Sequence, residues 1–330
     1  MDSAIKTFNL TKQYETVLAV DHINFEVKKG EIFGFLGPNG AGKTTTTRML
    51  IGISSPTDGT AQICGYDIKK QSVKAKECMG IVPDVSNVYT DLTAWKNLIF
   101  TGKLYDVKKQ EREQRAEELL RLFGLFNRRN DLVDGFSKGM QRRLCIAMAL
   151  MNKSSVLFLD EPTTGLDVQS CLVIRDLIKK LNKDGLTVFV TTHNMEEANQ
   201  MCDRIAIINK GKIAAIDKPE SLKATINKLQ AIEVSFDGSK RIELDDLKFE
   251  NVIEVEKCGD KYRLHTKNVP NTLSQIWKFS SANMLTITSV NTLSPSLEDV
   301  FVELTGLTTE TEQEFDPNFE PCVEQSRLEK

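Results

Sequence analysis

The sequence predicts an α/β fold over its first two-thirds, then a small α+β domain and an acidic tail. Three observations predict it. A glycine-rich stretch at 37–44 lies between a short apolar run and the start of a helix. Two further apolar runs, near 156–159 and 188–190, end abruptly in polar residues. After about residue 225 the pattern changes to apolar–polar alternation, the mark of half-buried strands.

Residues 1–85 read as strand and helix alternating around the glycine-rich stretch. Residues 31–36 are a short apolar run and read as a buried strand. The stretch that follows, Gly37-Pro38-Asn39-Gly40-Ala41-Gly42-Lys43-Thr44, fits the phosphate-binding pattern G-x-x-x-x-G-K-[ST]. Gly37, Gly40 and Gly42 let the backbone turn tightly, so that successive N–H groups can point at one anion. Lys43 adds a compact positive charge, and the Thr44 hydroxyl suits Mg2+. Residues 44–50 read as a helix whose positive end faces the loop. A second strand at 80–83 leads to Asp84.

Residues 86–150 read as mainly helical. Within 107–123, Ala116, Leu119, Leu120 and Phe123 share one face, and the many charges read as the solvated face. Ser137 and Gly139 open a helix reaching to Met151, with Leu144, Ala147, Met148 and Met151 at helical spacing. Ser137 fits an N-cap, and the free N–H groups there make a second anion site. By itself this is also an ordinary capped helix.

Residues 156–161 are four apolar residues and two carboxylates, read as a central parallel strand. Asp160 falls at its C-terminal end, where open α/β sheets bind ligands, and suits a Mg2+ contact. Glu161 suits a general base. An acidic pair in this place also reads as a solvated strand end. Residues 188–193 form another apolar strand ending in His193, a position that by itself is usually structural. Residues 203–212 read as a strand and turn.

Beyond 225, residues 232–236 and 252–256 read as strands, with 258–261 turning the second into 262–264. Residues 272–280 read as a helix, 285–290 as a strand and 296–304 as a last helix, with Pro295 near its start. No cluster of His, Cys or carboxylates marks a chemistry there. Residues 307–330 carry seven acids against Arg327 and Lys330 and few apolar residues, so they read as disordered.

Composition agrees. At 330 residues the prior is about two domains. Forty per cent apolar and 27 per cent charged residues are ordinary for a soluble globular protein. A net charge of −3 argues against a strongly basic nucleic-acid binder. Seven scattered cysteines with no C-x-x-C spacing indicate neither zinc nor a disulfide framework, and point to a reducing cytoplasm. The first residues lack a signal-peptide pattern, and no apolar run approaches the roughly 20 residues that span a bilayer.

The order of these parts — phosphate loop, Ser-x-Gly helix, strand with Asp-Glu, Gly165-Leu166-Asp167, strand with His — resembles the ATP-binding-cassette (ABC) ATPases, over about residues 5 to 220. The runs 31–45 and 137–140 are similar to single-cassette ATPase subunits of drug-resistance and sodium-efflux exporters, and 296–306 resembles the C-terminal domain appended to them. The resemblance implies a P-loop NTPase cassette at 1–222 with a helical subdomain at 86–150, a C-terminal α+β domain at 223–306 and the tail at 307–330.

It also implies roles. Gly37, Pro38, Asn39, Gly40, Ala41, Gly42, Lys43, Thr44 and Thr45 would hold the phosphates of ATP and its Mg2+. Tyr14 would stack on adenine, though it also reads as a core aromatic. Ser137 and Gly139 would reach ATP bound to the other protomer, and Asp167 would lie at that interface. Glu161 and His193 would hold the attacking water. Two departures stand out. Asp84 replaces the usual Gln and reads either as a Mg2+-linked carboxylate or as a solvent-facing turn cap. Lys138 and Met140 stand where Gly and Gln are commonest.

The implied protein is a peripheral ATPase on the cytoplasmic face of the membrane. It would dimerise around two ATP molecules and drive a separate membrane-spanning permease subunit, most simply an exporter. The alternative is a soluble cassette clamping nucleic acid or the ribosome. One cassette, no long coiled-coil insert and no basic arm argue against that.

Overall fold

The computed structural model describes residues 3–225, 230–237, 242–293 and 295–306. The predicted tail at 307–330 lies outside them. The chain opens with β1 (Ser3–Tyr14), β2 (Val17–Ile23), β3 (Glu26–Lys28) and β4 (Ile32–Leu36), and the first helix, α1 (Lys43–Leu50), comes only after these four strands. Then come β5 (Asp58–Ile63), β6 (Tyr66–Asp67), α2 (Ser72–Glu77) and β7 (Met79–Val82). Strand–helix alternation is therefore not the pattern of the first 36 residues. β1 pairs antiparallel with β2, β3 and β5, and β5 with β6, forming a separate five-stranded sheet. The meander needs only short turns, so the pattern there gives strands without intervening helices.

The region 86–150 is helical, as expected: α3 (Ala94–Leu104), α4 (Lys109–Leu122) and α5 (Lys138–Ala149). Ala116, Leu119, Leu120 and Phe123 are all buried. α5 stops at Ala149, two residues short of the sequence reading, yet Met151 stays buried. The chain continues through β8 (Val156–Asp160), α6 (Val168–Lys183), β9 (Thr187–Thr192), α7 (Met195–Met201), β10 (Arg204–Asn209), β11 (Lys212–Asp217) and α8 (Pro219–Ala224).

The central sheet has the order β11-β10-β4-β9-β8-β7 and is parallel from β10 to β7, with β11 antiparallel at one edge. Strands β4, β8 and β9 are buried on both faces, which explains their unbroken apolar runs. The pleat sorts alternate residues to two cores. Ile32, Leu36, Leu157, Leu159, Val188 and Val190 face the helices of 86–150 and α6. Phe33, Phe35, Phe158 and Phe189 face the antiparallel sheet and α1. On that side Phe25, Phe33, Phe35, Phe158 and Phe189 form an aromatic cluster with centroids 5.4 to 6.1 Å apart. Such offset aromatic pairs add to the area they bury.

The C-terminal part has a four-stranded antiparallel sheet, order β13-β14-β12-β15, from β12 (Gln230–Asp237), β13 (Val252–Cys258), β14 (Lys261–Thr266) and β15 (Thr286–Leu293). α9 (Val269–Ala282) covers it and starts three residues before the expected helix, with Asn268 as cap. Alternation fails in β13. A register shift between Val252 and Glu254 puts Val252 and Val255 against the core and leaves Ile253 exposed.

The last helix, α10 (Leu297–Thr305), is capped by Ser296 in a reciprocal box with Asp299. It returns to the first domain. Leu297 and Val300 bury into the core shared with Leu222, and Asn209 Nδ2 donates to the Thr305 carbonyl at 3.2 Å. Val300→Asp should thus destabilise the part of the chain built on the central sheet, by roughly 2–4 kcal/mol in chemical denaturation, whereas exposed Glu303→Lys should stay within about 0.5 kcal/mol. An unchanged first-domain unfolding midpoint for Val300→Asp would show that α10 contributes nothing there.

Candidate functional site

The site gathers at the C-terminal ends of three neighbouring parallel strands. β4 ends at Leu36, level with Thr192 of β9, and Asp160 of β8 is level with Thr191. The three following segments therefore emerge side by side: the glycine-rich loop, Glu161 and His193.

Two glycines of the loop are required by the fold. Gly42 has φ 109°, and a Cβ there would lie 2.6 Å from the Ala19 carbonyl. At Gly37 a Cβ would lie 2.4 Å from the Ile208 carbonyl. Gly40, at φ 77°, has open space where a Cβ would point. The loop leads straight into the N-terminus of α1, an arrangement suited to an anion. Lys43 is buried at 8% exposure, and its Nζ donates to the carbonyls of Gly37 at 2.6 Å and Pro38 at 3.1 Å. Burial lowers its pKa, and the carboxylates of Glu161 and Asp160 act against that. An anion in the loop would compete for the same ammonium protons and favour the charged lysine.

Thr44, Asp84 and Asp160 line one cavity of about 400 Å3, together with Thr47 and Arg48 of α1. Thr44 and Asp84 are exposed, and Thr47 Oγ1 is buried without a partner. A hydroxyl and two carboxylates are hard oxygen donors, so the set fits Mg2+. Among the described residues no hydrogen bond ties the Asp84 carboxylate to the turn after it. Asp160 is itself held by the buried hydroxyl of Thr191.

Glu161 has φ 45°, an uncommon conformation for a residue with a side chain. Its N–H donates to the Thr191 carbonyl at 3.0 Å. Its Oε2 meets His193 Nδ1 at 2.9 Å and accepts from Thr164 Oγ1 at 3.1 Å. His193 remains exposed. A carboxylate bonded to an exposed imidazole can hold and deprotonate a water.

Ser137, Gly139 and Asp167 form a second group. Ser137 caps α5 by accepting from the Met140 N–H at 3.2 Å. Asp167 caps α6, accepting from the N–H and Oγ of Ser170 at 2.8 and 2.7 Å, and these bonds lower its pKa. A Cβ on Gly139 would lie 2.3 Å from Ser170 Oγ, so glycine lets α5 meet α6. Ser137 and Asp167 are exposed, and among the described residues no hydrogen bond joins this group to the loop at 37–45. Tyr14 stands apart at the end of β1, 44% exposed and not in the core, with Lys12 Nζ 4.9 Å from its ring centroid.

Two site residues were missed in the sequence. Arg142 is almost wholly buried and donates to four backbone carbonyls around Asp84 and Glu161. Glu197 is also buried, accepting from Thr163 at 2.8 Å and Thr192 at 3.3 Å, and so joins the segment after Glu161 to the residue before His193. No local signal sets either apart: Arg142 is one of two adjacent arginines, Glu197 one of two adjacent glutamates.

Burial raises the Glu197 pKa above the ordinary carboxylate range. A raised folded pKa favours the folded state at pH below the unfolded value, and that contribution is lost as pH rises through the folded value. Glu197→Gln should therefore gain stability relative to the parent above the raised folded pKa, with the gain fading toward about pH 4. A pH-independent difference in melting temperature between the two proteins would contradict it.

Comparison with known proteins agrees with this geometry. Residues 20–164 match the ABC transporter family, and 218–305 match the C-terminal domain of DrrA1-3-like ATP-binding proteins. The linearmycin resistance ATP-binding protein LnrL of Bacillus subtilis is 37% identical over 91% of this chain and 97% of its own length. The Nod factor export ATP-binding protein I of Cupriavidus metallidurans is 34% identical over 93% of this chain and 98% of its own. A solved dimeric ATP-binding cassette in a post-hydrolysis state, bound to ADP and Pi, is 30% identical, with a TM-score of 0.58 over 65% of this chain and 98% of that one. This chain belongs to the ABC transporter ATP-binding proteins, and it is an ATPase of that family.

Proposed function

We propose that this ATPase powers an exporter whose pore is a separate membrane-spanning subunit, working as a dimer with two ATP molecules at the interface. The observation that carries the reading is the level convergence of the Gly37–Lys43 loop, Asp160–Glu161 and His193, with Ser137 and Asp167 exposed but unconnected to that loop in the same chain. A group that cannot complete its own site can complete one on a second copy. The resistance and export functions in the names of the two relatives support the exporter reading, and the dimeric cassette supports the assembly. No described helix is long and apolar enough to cross a membrane, which is consistent with a peripheral subunit.

In this reading the loop N–H groups and Lys43 hold the β- and γ-phosphates. Glu161 accepts the proton of the attacking water, and His193, bonded to Glu161, keeps it on line. Mg2+, held by Thr44 and Asp160 with Asp84 beside them, would neutralise charge on the phosphate oxygens. Ser137 and Gly139 close the site from the other protomer, and Tyr14 offers its face to adenine. The apolar residues Ile53 and Val85 at one cavity, and Tyr89, Leu104 and Tyr105 at the next, are exposed and share Ile81 between the two cavities. Exposed apolar side chains on this side of Asp84 suit a protein partner, here the permease.

Glu161→Gln keeps the shape and removes the base. It should bind Mg·ATP, accumulate as a dimer in gel filtration, and turn over at least roughly 100-fold more slowly. Near-parental turnover would sink the role of Glu161. Asp84→Asn should raise the half-saturating Mg2+ for ATPase activity while metal-free nucleotide binding is unchanged, and Asp84→Gln should retain substantial activity. An unchanged Mg2+ titration in Asp84→Asn would make Asp84 a surface residue only.

A further inference from the structure

Arg142 lies five residues beyond Ser137, about 7 Å along the axis of α5. Its side chain is 3% exposed. Nε donates to the Pro162 carbonyl at 2.9 Å, and Nη2 to those of Glu161 at 2.6 Å and Asp160 at 3.4 Å. Nη1 donates to the Pro83 carbonyl, next to Asp84. One guanidinium therefore reads four backbone oxygens on two segments of the site. Among the described residues no carboxylate forms an ion pair with it. Burial works against its charge, and the carboxylates of Asp84, Asp160 and Glu161 nearby work for it without touching it.

The conformation of Glu161 explains the arrangement. At φ 45° its backbone is strained, and such strain persists only where surrounding bonds over-determine it. The N–H of Glu161 is fixed by Thr191. Its carbonyl is fixed by Arg142. Only a planar fork with five donors can span the Glu161 and Pro83 segments together; an ammonium on a flexible stem cannot.

We propose that Arg142 is a positioning residue for hydrolysis, locking the backbone of Glu161 to α5 so that the base is aimed only while α5 is seated. This rests on the assignment of Glu161 as the base. The full-length protein would be compared with Arg142→Lys, Arg142→Ala and Arg115→Ala. Arg115 bonds the Leu150 carbonyl at the far end of α5 and touches none of the site segments, so its loss reports general weakening of the helical region.

Arg142→Lys should lower kcat roughly 10- to 100-fold, with the affinity for a fluorescent ATP analogue changed by no more than about twofold. Combined with Glu161→Gln, it should still give the ATP-dependent dimer. Arg142→Ala should lose at least as much rate as Arg142→Lys, and Arg115→Ala should lower the melting temperature but keep parental kcat. Parental kcat in Arg142→Lys would overturn the proposal. So would an equal loss in Arg115→Ala, or loss of the trapped dimer in the double variant. If Glu161→Gln alone retains turnover, the assignment of the base fails instead, and the proposal falls with it.

Discussion

The structure depends on the register of three parallel strands. Because β4, β9 and β8 end level, the segments after Leu36, Thr192 and Asp160 must share one edge of the sheet. Sequence distance is irrelevant to this: His193 reaches a carboxylate 32 residues away because both leave adjacent strands at the same height. The register is fixed in turn by the pleat. A slip of one residue would exchange Phe33, Phe35, Phe158 and Phe189 with the Leu, Ile and Val set of the opposite face, and close-packed cores tolerate such a change of volume badly. The aromatic layer and the site are thus one problem with one solution.

The acidic and cationic groups are balanced by placement. Lys43 is buried deeply enough to lose affinity for its proton, and Asp160 and Glu161 restore part of it. Thr44, Asp84 and Asp160 line one cavity, a hydroxyl and two carboxylates that suit a hard cation. The residues that complete the constellation in this account, Ser137 and Asp167, cap neighbouring helices that meet where Gly139 approaches Ser170, and both are exposed. A rigid outward face is what a second protomer requires.

Much of this was legible in the sequence, for identifiable reasons. The glycine-rich loop needs specific residue types because a Cβ at Gly37 or Gly42 collides with backbone. The strands β4, β8 and β9 are apolar throughout because both faces are buried, so their ends show as abrupt polar residues. The cap at Ser137 follows from the hydroxyl's reach to the third N–H. What stayed hidden depends on pairing across the chain. Nothing local says that 3–36 forms a meander before any helix. The bulge that turns Ile253 outward is a property of two strands. Arg142 looks like any helix charge until Pro83 and Glu161 fold against it, and α10 shows its core face but not which domain it covers.

The central claim is that the working site is shared between two copies. The direct measurement mixes two variants that spoil different halves: Lys43→Ala, which removes phosphate charge in its own loop, and Ser137→Arg, which blocks the facing helix end. Each homodimer has both sites damaged, while a mixed dimer has one intact site. Steady-state ATPase of each variant should be near background, and an equimolar mixture should recover roughly a quarter of the parental rate if dimers form at random and single sites fire. No recovery on mixing, with parental rate strictly proportional to concentration where the protein is monomeric, would contradict a shared site.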